Sequence, residues 1–281
     1  MWHWSDADRR FVRERGRVAR AILALLLAVL YAPLLFLVVA SVNRNPASTG
    51  WQGFTGQWYS RAFDDPALRA AVGVSVRLAL GASALALLIG TAAAVAARRT
   101  RLLSKLNIAV ASARIATPEI ILATGIAAAL PTVGIAFGLR SMLVAHVAYL
   151  SAYAMLIVGA RAAGSPVHLE EAALDLGARR WQVLRDIVLP DLRPAIGSAG
   201  MLVFAFSFDD VALSLALRGP SDTTVPIYIF SAVQRRVTPS IHAIGALTVA
   251  VGVVTFAGAV LVNRAITAGQ VGPPGRDQAR P

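Results

Sequence analysis

The chain has 281 residues, of which 57% are hydrophobic and only 15% are charged. Soluble domains are typically about 45–50% apolar and about 25% charged, so this composition indicates a membrane protein and excludes a disordered chain. The net charge of +12 would suggest nucleic acid as a partner of a soluble protein, but here the basic residues stand in short runs beside apolar segments, which favours contact with lipid headgroups.

Six apolar stretches are long enough to cross a hydrocarbon core of about 30 Å, which takes about 20 helical residues. They predict an all-α integral membrane protein with six transmembrane helices. The helices are expected at residues 18–42, 70–97, 106–130, 141–161, 195–217 and 241–262. The first is too long for a cleaved signal peptide. The chain thus divides into a basic N-terminus (1–17), a six-span domain (18–264) and a flexible tail (265–281).

Orientation follows from the placement of Lys and Arg. If both termini are cytoplasmic, 18 of the 27 basic residues fall in the inner segments and seven in the outer ones. Cytoplasmic loops carry an excess of Lys and Arg, so the asymmetry predicts an N-in, C-in protein. The longest outer connection is then 43–69, and the longest inner one is 162–194.

The outer connection contains Trp58 and Tyr59 in sequence. An aromatic ring there could hold an ammonium group by cation–π contact. Trp and Tyr are equally typical of membrane-interface anchors, so both interpretations of Trp58 stay open. In the third span, Pro118 precedes Glu119 and is expected to open the helix and free carbonyl groups, as in the broken helices of transporters.

The inner segment 162–194 predicts a short amphipathic helix. Apolar residues at positions 169, 172, 173 and 176 follow i, i+3, i+4, i+7 spacing, and Glu170 and Glu171 fall in the first turn, where the helix dipole favours them. Gly177 is expected to end this helix in a left-handed conformation, and a second short helix should run to Pro190. Periodicity alone fits a helix that docks in a groove of a cytoplasmic partner and one that lies on the membrane.

Three acidic residues, Glu119, Asp209 and Asp210, fall in or at the edge of spans. A charge near the bilayer centre costs at least about 2.5–3.5 kcal/mol, so such groups usually face a bundle interior or a watery cavity. Three acids beside only Arg77 and Arg114 favour a cation path, although acid–Arg pairs that merely hold helices together are the alternative. Neighbouring residues on a helix point about 100° apart, so Asp209 and Asp210 cannot both face one lumen squarely.

The inner segment also carries a resemblance to a known family. Glu171-Ala172-Ala173, then Gly177, then Ile187–Pro190 resembles the EAA loop of bacterial ABC-importer permease subunits. In that family this coupling loop, about residues 162–194 here, seats in a cleft of the ATP-binding subunit. The residues that the resemblance assigns to coupling are Glu170, Glu171, Ala172, Ala173, Asp175, Gly177, Leu189 and Pro190.

The resemblance extends over nearly the whole chain. The segments 51–59, 117–120, 207–211 and 219–231 look like the spermidine/putrescine branch, and are most similar to its second, C-type, permease. It implies that Glu119 and Asp209 lie on the substrate path. Trp58 and Asp210 are the two further candidates for this path, although Asp210 could instead meet Arg114 or a neighbouring helix. Related members move opines, phosphonates and other small solutes, which remain alternative substrates.

The resemblance also implies the assembly. We expect a second homologous permease, two ATP-binding subunits and an extracytoplasmic solute-binding protein, acting on a small cationic substrate at the bacterial inner membrane. The chain itself has no phosphate loop, zincin or nucleophile-elbow motif, and no cysteine. We therefore expect no catalytic residue, metal or cofactor in it, with ATP and Mg²⁺ held by the partner ATPases. The rival from another class is a self-sufficient secondary carrier or channel that uses Glu119 and Asp209 as a cation relay.

Overall fold

The computed structural model describes residues 6–45, 50–235 and 239–270. Within these ranges the secondary structure is helices joined by turns and loops, and the only extended pairing is an isolated bridge between Asn43 and Phe54. The helices are α1 (Asp6–Ser41), α2 (Gln57–Asp64), α3 (Pro66–Ala97), α4 (Arg101–Ala116), α5 (Glu119–Ala129), α6 (Leu139–Ala163), α7 (Val167–Asp175), α8 (Arg180–Val183), α9 (Leu189–Asp209), α10 (Ala212–Leu217), α11 (Val225–Arg235) and α12 (Pro239–Gln270). The all-α fold class is confirmed.

Five helical segments of the described residues are long and apolar enough to span a membrane, and a bent pair makes a sixth. The pair is α4 with α5, which meet at 100° across Thr117 and Pro118. The predicted third span, 106–130, is therefore broken in its middle. Thr117 has an extended ψ of 121° because the ring of Pro118 disfavours a helical conformation at the residue before it.

The structure differs from the predicted fifth span, 195–217, at both ends of that span. The helix does not stop at Pro190: α8 continues through a π turn (Leu184–Val188) into α9, where Pro190 lies in the first turn. Proline clashes with the carbonyl four residues earlier, and the wider π turn, in which the Leu189 N–H donates to the Leu184 carbonyl, accommodates it. At the other end α9 stops at Asp209, and α10 begins afresh at Ala212.

The chain forms two compact units. One takes in the described residues up to Asp64 together with Ala232–Val249, and the other takes in Asp65–Ser231 together with the described residues from Ala250. In the first unit, α1 is apolar and exposed around its whole circumference from residue 21 to 36, as expected of a helix that faces lipid or another subunit. Of the predicted tail (265–281), residues 265–270 continue α12, and the rest lie outside the described residues.

The core of the second unit is the pairing of α3 with α6, onto which α9 packs. Small side chains lie where α3 meets α6. Among them, Ala79, Ala82 and Ala86 of α3 and Ala154 of α6 are fully buried. A β-carbon added to Gly90 would lie 2.6 Å from Ala154 Cβ and 2.7 Å from the backbone nitrogen of Met155. Small residues at such interfaces let backbones approach closely, which is how helices associate within a bilayer.

Candidate functional site

A pocket of about 430 Å³ lies among α5, α6, α9 and the start of α10. Its lining residues are Glu119, Tyr149, Tyr153, Phe206, Asp209, Asp210, Val211 and Ala212. The break at Pro118 makes Glu119 the first residue of α5, and the end of α9 places both aspartates at the same pocket. The structure thus brings together three of the four residues that the sequence assigns to the substrate path.

Asp210 is held in place by the helix that follows it. Its carboxylate accepts hydrogen bonds from the backbone N–H groups of Leu213 (3.3 Å) and Ser214 (2.8 Å), so it caps the N-terminus of α10. The same carboxylate lies 3.2 Å from Nε2 of His146. Asp210 therefore meets His146 and α10 rather than Arg114.

Asp209 has a different environment from its neighbour. Its side chain is exposed at the pocket, whereas that of Asp210 is only 3% exposed. Among the described residues no hydrogen-bond partner of the Asp209 carboxylate is found. Its oxygens are therefore available to a ligand, while those of Asp210 are occupied by the protein.

His146 lies at the centre of a buried polar cluster that connects α6 with α9 and α10. Its Nδ1 is 2.8 Å from Ser207 Oγ and its Nε2 is 3.2 Å from Ser214 Oγ, and the ring is fully buried. Buried polar groups need such partners to offset the loss of water. This cluster fixes the break between α9 and α10 and with it the position of both aspartates.

Aromatic rings form the other wall of the pocket. Tyr149 and Tyr153 lie one turn apart on α6, with ring centroids 5.5 Å apart, and Phe206 of α9 meets the Tyr153 ring edge-on at 5.3 Å. The guanidinium of Arg114 lies 3.9 Å from the Tyr149 ring centroid, and its Nη1 donates to the carbonyl of Thr117 at the α4–α5 break. The Tyr149 ring thus already holds one cation of the chain in cation–π contact.

Sequence reasoning missed the contributions of α6 to this site. The residue patterns in the sequence analysis do not single out His146, Tyr149 or Tyr153. The available signal was their common face: positions 146, 149 and 153 follow the i, i+3, i+7 spacing of one helix stripe. A polar stripe on an otherwise apolar span indicates the side that faces away from lipid.

Trp58 belongs to the first unit and has its own partners there. Its indole N–H donates to the carbonyl of Asn43 at 2.7 Å, and the side chain is buried. The guanidinium of Arg61 lies 4.8 Å from its ring centroid. The ring therefore makes a cation–π contact within the chain, and its predicted role on the substrate path stays a prediction.

No group of three or more His, Asp or Glu side chains within the described ranges could hold a metal ion. The chemistry that the pocket offers is instead that of carboxylates facing aromatic rings. Carboxylates attract ammonium groups, and the ring faces add a contact suited to both cations and methylene chains.

The helix predicted for the coupling loop is α7, and its end has the predicted left-handed glycine, with φ of +87° at Gly177. The N–H of Ala178 donates to the carbonyl of Ala173 and that of Gly177 to Leu174, both at 2.9 Å, which is the Schellman arrangement. Ala173 packs inward against the core, together with Ala178. Glu171, Ala172 and Asp175 are exposed, and Leu176 is 90% exposed.

Two ion pairs attach the coupling loop to the spans. Glu170 pairs with Arg98 just after α3, and Asp191, beside Pro190 at the start of α9, pairs with Arg161 near the end of α6. Leu189 and Pro190 are half-buried there. The loop is therefore joined to three spans, while Ala172 and Leu176 on the apolar stripe of α7 stay exposed.

Comparison with known proteins gives relatives along most of the chain. The chain is 32% identical to the spermidine/putrescine transport system permease protein PotC of Escherichia coli over 259 residues, which is 92% of this chain and 98% of the relative. It is 36% identical to the putrescine transport system permease protein PotI of the same organism over 265 residues, 90% and 93% of the two chains. A putative 2-aminoethylphosphonate permease, PhnV of Salmonella typhimurium, is 29% identical over 79% of this chain and 85% of its own. No model of a protein family matches the chain.

Solved structures resemble the fold at low sequence identity. A bacterial ABC transporter that imports alginate has a chain that aligns with a TM-score of 0.67 and 15% identity, covering 91% of this chain and 97% of that one. An inward-facing methionine ABC transporter aligns with a TM-score of 0.57 and 17% identity, covering 70% and 94%. These likenesses support the fold.

Proposed function

Since the chain belongs to the family of spermidine/putrescine ABC-transporter permeases, we propose that it forms half of the membrane path of a polyamine importer. The chain is a permease subunit of an ABC importer in the bacterial inner membrane. Its partners are a second, homologous permease, two ATP-binding subunits that hold ATP and Mg²⁺ and carry out hydrolysis, and an extracytoplasmic solute-binding protein.

The observation that carries the substrate assignment is the acidic and aromatic pocket. A polyamine is a flexible row of ammonium groups joined by methylenes, so it needs carboxylates at intervals with apolar surface between them. Glu119 and Asp209 supply the carboxylates, and Tyr149, Tyr153 and Phe206 supply the surface. Asp210 acts behind them by fixing the α9–α10 break, and the pseudo-symmetric partner permease would supply the facing half.

The test is uptake of labelled spermidine and putrescine by cells that express the complete assembly. We expect uptake to vanish when this chain is deleted and to fall sharply in the Glu119→Gln, Asp209→Asn double variant. Arg235→Gln serves as a control, because it removes a charge outside the pocket. If uptake is lost on deletion but is unchanged in the double variant, the pocket is not the substrate site, although the chain still belongs to a polyamine transporter. If a membrane-inserted chain gives no polyamine uptake, an opine, a phosphonate or another small solute is the substrate.

For coupling, we propose that the exposed face of α7 docks on an ATP-binding subunit and moves with it. ATP-driven closure of the two ATPases would turn the permease pair outward to receive substrate from the binding protein, and hydrolysis would reset it inward. The uncovered Leu176 and Ala172 support this docking, as do the ion pairs that join the loop to the spans.

Ala172→Arg tests the docking surface more cleanly than Ala173→Arg, because Ala172 is exposed whereas Ala173 packs inward. We expect Ala172→Arg, like Gly177→Pro, to abolish the ATPase stimulation by loaded binding protein while the chain still inserts into the membrane. Unchanged uptake and ATPase activity in both variants would refute the coupling assignment. Transport by this chain alone, driven by an ion gradient, would support the secondary carrier.

A further inference from the structure

A second cavity, of about 520 Å³, lies between the end of α3, the start of α4 and the C-terminal half of α6. Its floor is made by the small residues of two helices that do not fill the space between them, with two longer apolar side chains beside them. These floor residues are Ala94, Ala97, Met155, Leu156, Gly159, Ala160 and Ala163. The cavity is distinct from the acidic pocket and shares no lining residue with it.

The rim of this cavity is basic and polar. Arg98 and Arg101 lie on it together with the hydroxyl of Ser104 and the amide of Asn107, and no acidic residue lines it. An apolar cleft with a cationic, hydroxyl-bearing rim complements a ligand with an apolar body and an anionic head. The cavity therefore has the opposite charge preference to the acidic pocket.

The residues around the cavity favour a lipid over a free anion as its ligand. Next to the cavity, α4 carries Leu102, Leu106 and Val110 with 67%, 51% and 61% of their surfaces exposed. Such a face is stable only against acyl chains or another apolar surface. In the orientation of the proposed function, Arg98 and Arg101 then stand at the level of the cytoplasmic headgroups, whose anionic lipids attract juxtamembrane basic residues.

We propose that this cavity binds one anionic phospholipid of the cytoplasmic leaflet, with its phosphate between Arg98 and Arg101 and an acyl chain along the small residues of α3 and α6. The proposal rests on the proposed function only for the orientation. It has a consequence for coupling because Arg98 is also the partner of Glu170 on α7. A phosphate at Arg98 shares this cation with the coupling helix, so the lipid composition of the inner leaflet regulates how firmly α7 is held.

The binding test uses the complete transporter in nanodiscs that contain a photoactivatable phosphatidylglycerol probe, with crosslinked peptides mapped by mass spectrometry. We expect the probe to label the segments 94–108 and 155–163. Arg101→Gln should reduce this labelling about fivefold, since each basic residue near the surface contributes about 1 kcal/mol to the attraction. Arg101→Lys, which keeps the charge, should restore most of it.

Arg99→Gln is the matched control, because it removes the same charge from the neighbouring position but lines the cleft beside α7 and α8 rather than this cavity. Its labelling should equal that of the wild type. Equal losses in Arg99→Gln and Arg101→Gln, equal labelling by a phosphatidylcholine probe, or displacement of the probe by inorganic phosphate would each overturn the proposal.

The regulatory part is tested by ATPase activity in nanodiscs with and without phosphatidylglycerol. We expect a dependence on the anionic lipid in the wild type that is lost in both Arg101→Gln and Glu170→Gln. A dependence that persists in both variants would overturn the link to α7. Labelling requires no transport, so a failed polyamine assay leaves the lipid result standing and a failed lipid assay leaves the polyamine result standing.

Discussion

Two neighbouring aspartates in this chain differ in what their carboxylates contact. Asp210 accepts two backbone N–H groups and touches His146, while Asp209 is exposed at the pocket. Because the helix ends between them, the carboxylate of Asp210 is held by the fold while that of Asp209 stays available to a ligand. Adjacent residues of like charge thus lie in different environments.

This division gives the first prediction. Asp210→Ala should lower the free energy of unfolding by about 1–3 kcal/mol, since it leaves buried donors of α10 and His146 without their acceptor. Asp209→Ala should change it by less than about 0.5 kcal/mol, as for other exposed sites, yet abolish uptake. Thermal unfolding of the purified chain in detergent, compared with polyamine uptake, measures both. Equal destabilisation by the two variants would contradict the division.

A second prediction concerns Asp65, which caps α3 and accepts a hydrogen bond from the Tyr228 hydroxyl. That hydrogen bond lowers the pKa of Asp65 below its ordinary value of 3.8. A carboxyl whose folded pKa is depressed stabilises the fold above its unfolded pKa, and this contribution is lost as the pH falls through the folded pKa. The stability difference between wild type and Tyr228→Phe should therefore be constant near neutral pH and shrink below about pH 4.

The control for this experiment is Tyr59→Phe, because the Tyr59 hydroxyl lies 2.6 Å from Ser41 Oγ, a neutral partner. Its stability difference from wild type should not follow the same acid titration. Unfolding midpoints of the three proteins from pH 7 to pH 3 decide the matter. A Tyr228→Phe difference that stays constant over the whole range would show that Asp65 is not the titrating partner.

At the scale of elements, the important features are interruptions of helices. The spans break at Pro118, widen at the π turn before Pro190 and end at Asp209, and α7 ends at Gly177. Three of these interruptions position residues of the proposed site: Glu119 begins α5, Asp209 ends α9 with Asp210 directly after it, and Gly177 turns the coupling loop. The irregular backbone therefore lies where the site is, as in transporters that use broken helices.

Gly177 provides the third prediction. No heavy atom lies within 4 Å of a β-carbon built there, so substitutions there act through the left-handed backbone rather than through packing. Alanine in this conformation costs about 1–2 kcal/mol, and asparagine tolerates it better. Binding-protein-stimulated ATPase activity should therefore fall in the order Gly, Asn, Ala. Gly197→Ala, in helical backbone with equal open space, should have no such effect.

The interruptions also explain how far the sequence predicted this molecule. Hydropathy located the spans and Gly177 identified the end of α7, because both signals are local. Pro118 predicted a break in the span but not the angle of the break. That angle depends on how α5 packs against α6 and α10. The roles of His146, Tyr149 and Tyr153 depend on which residues face α9, and that is a property of packing that no single segment contains.

For the whole molecule, the distribution of Lys and Arg predicts that both termini are cytoplasmic. The absence of cysteine makes this orientation simple to test. Because the chain has no cysteine, the variants Gln52→Cys and Leu176→Cys each carry a single thiol, and any labelling of the chain reports that position alone. In intact spheroplasts, a membrane-impermeant maleimide should label Gln52→Cys and leave Leu176→Cys unlabelled until the cells are permeabilised. The reverse pattern would invert the topology, and with it the placement of the coupling loop.

The close alanine and glycine packing between α3 and α6 has a mechanical consequence. The backbones of the two helices approach closely at Gly90, where an added β-carbon would meet Ala154 and Met155, so one helix cannot slide past the other there without collision. The pair behaves as a stiff strut, anchored to the coupling loop through Arg98 and Arg161 at one end and carrying Tyr149 and Tyr153 farther along. We therefore expect a rotation applied at the coupling-loop end of this pair to reach the pocket, with bending of the spans confined to the helix breaks at Pro118 and Asp210.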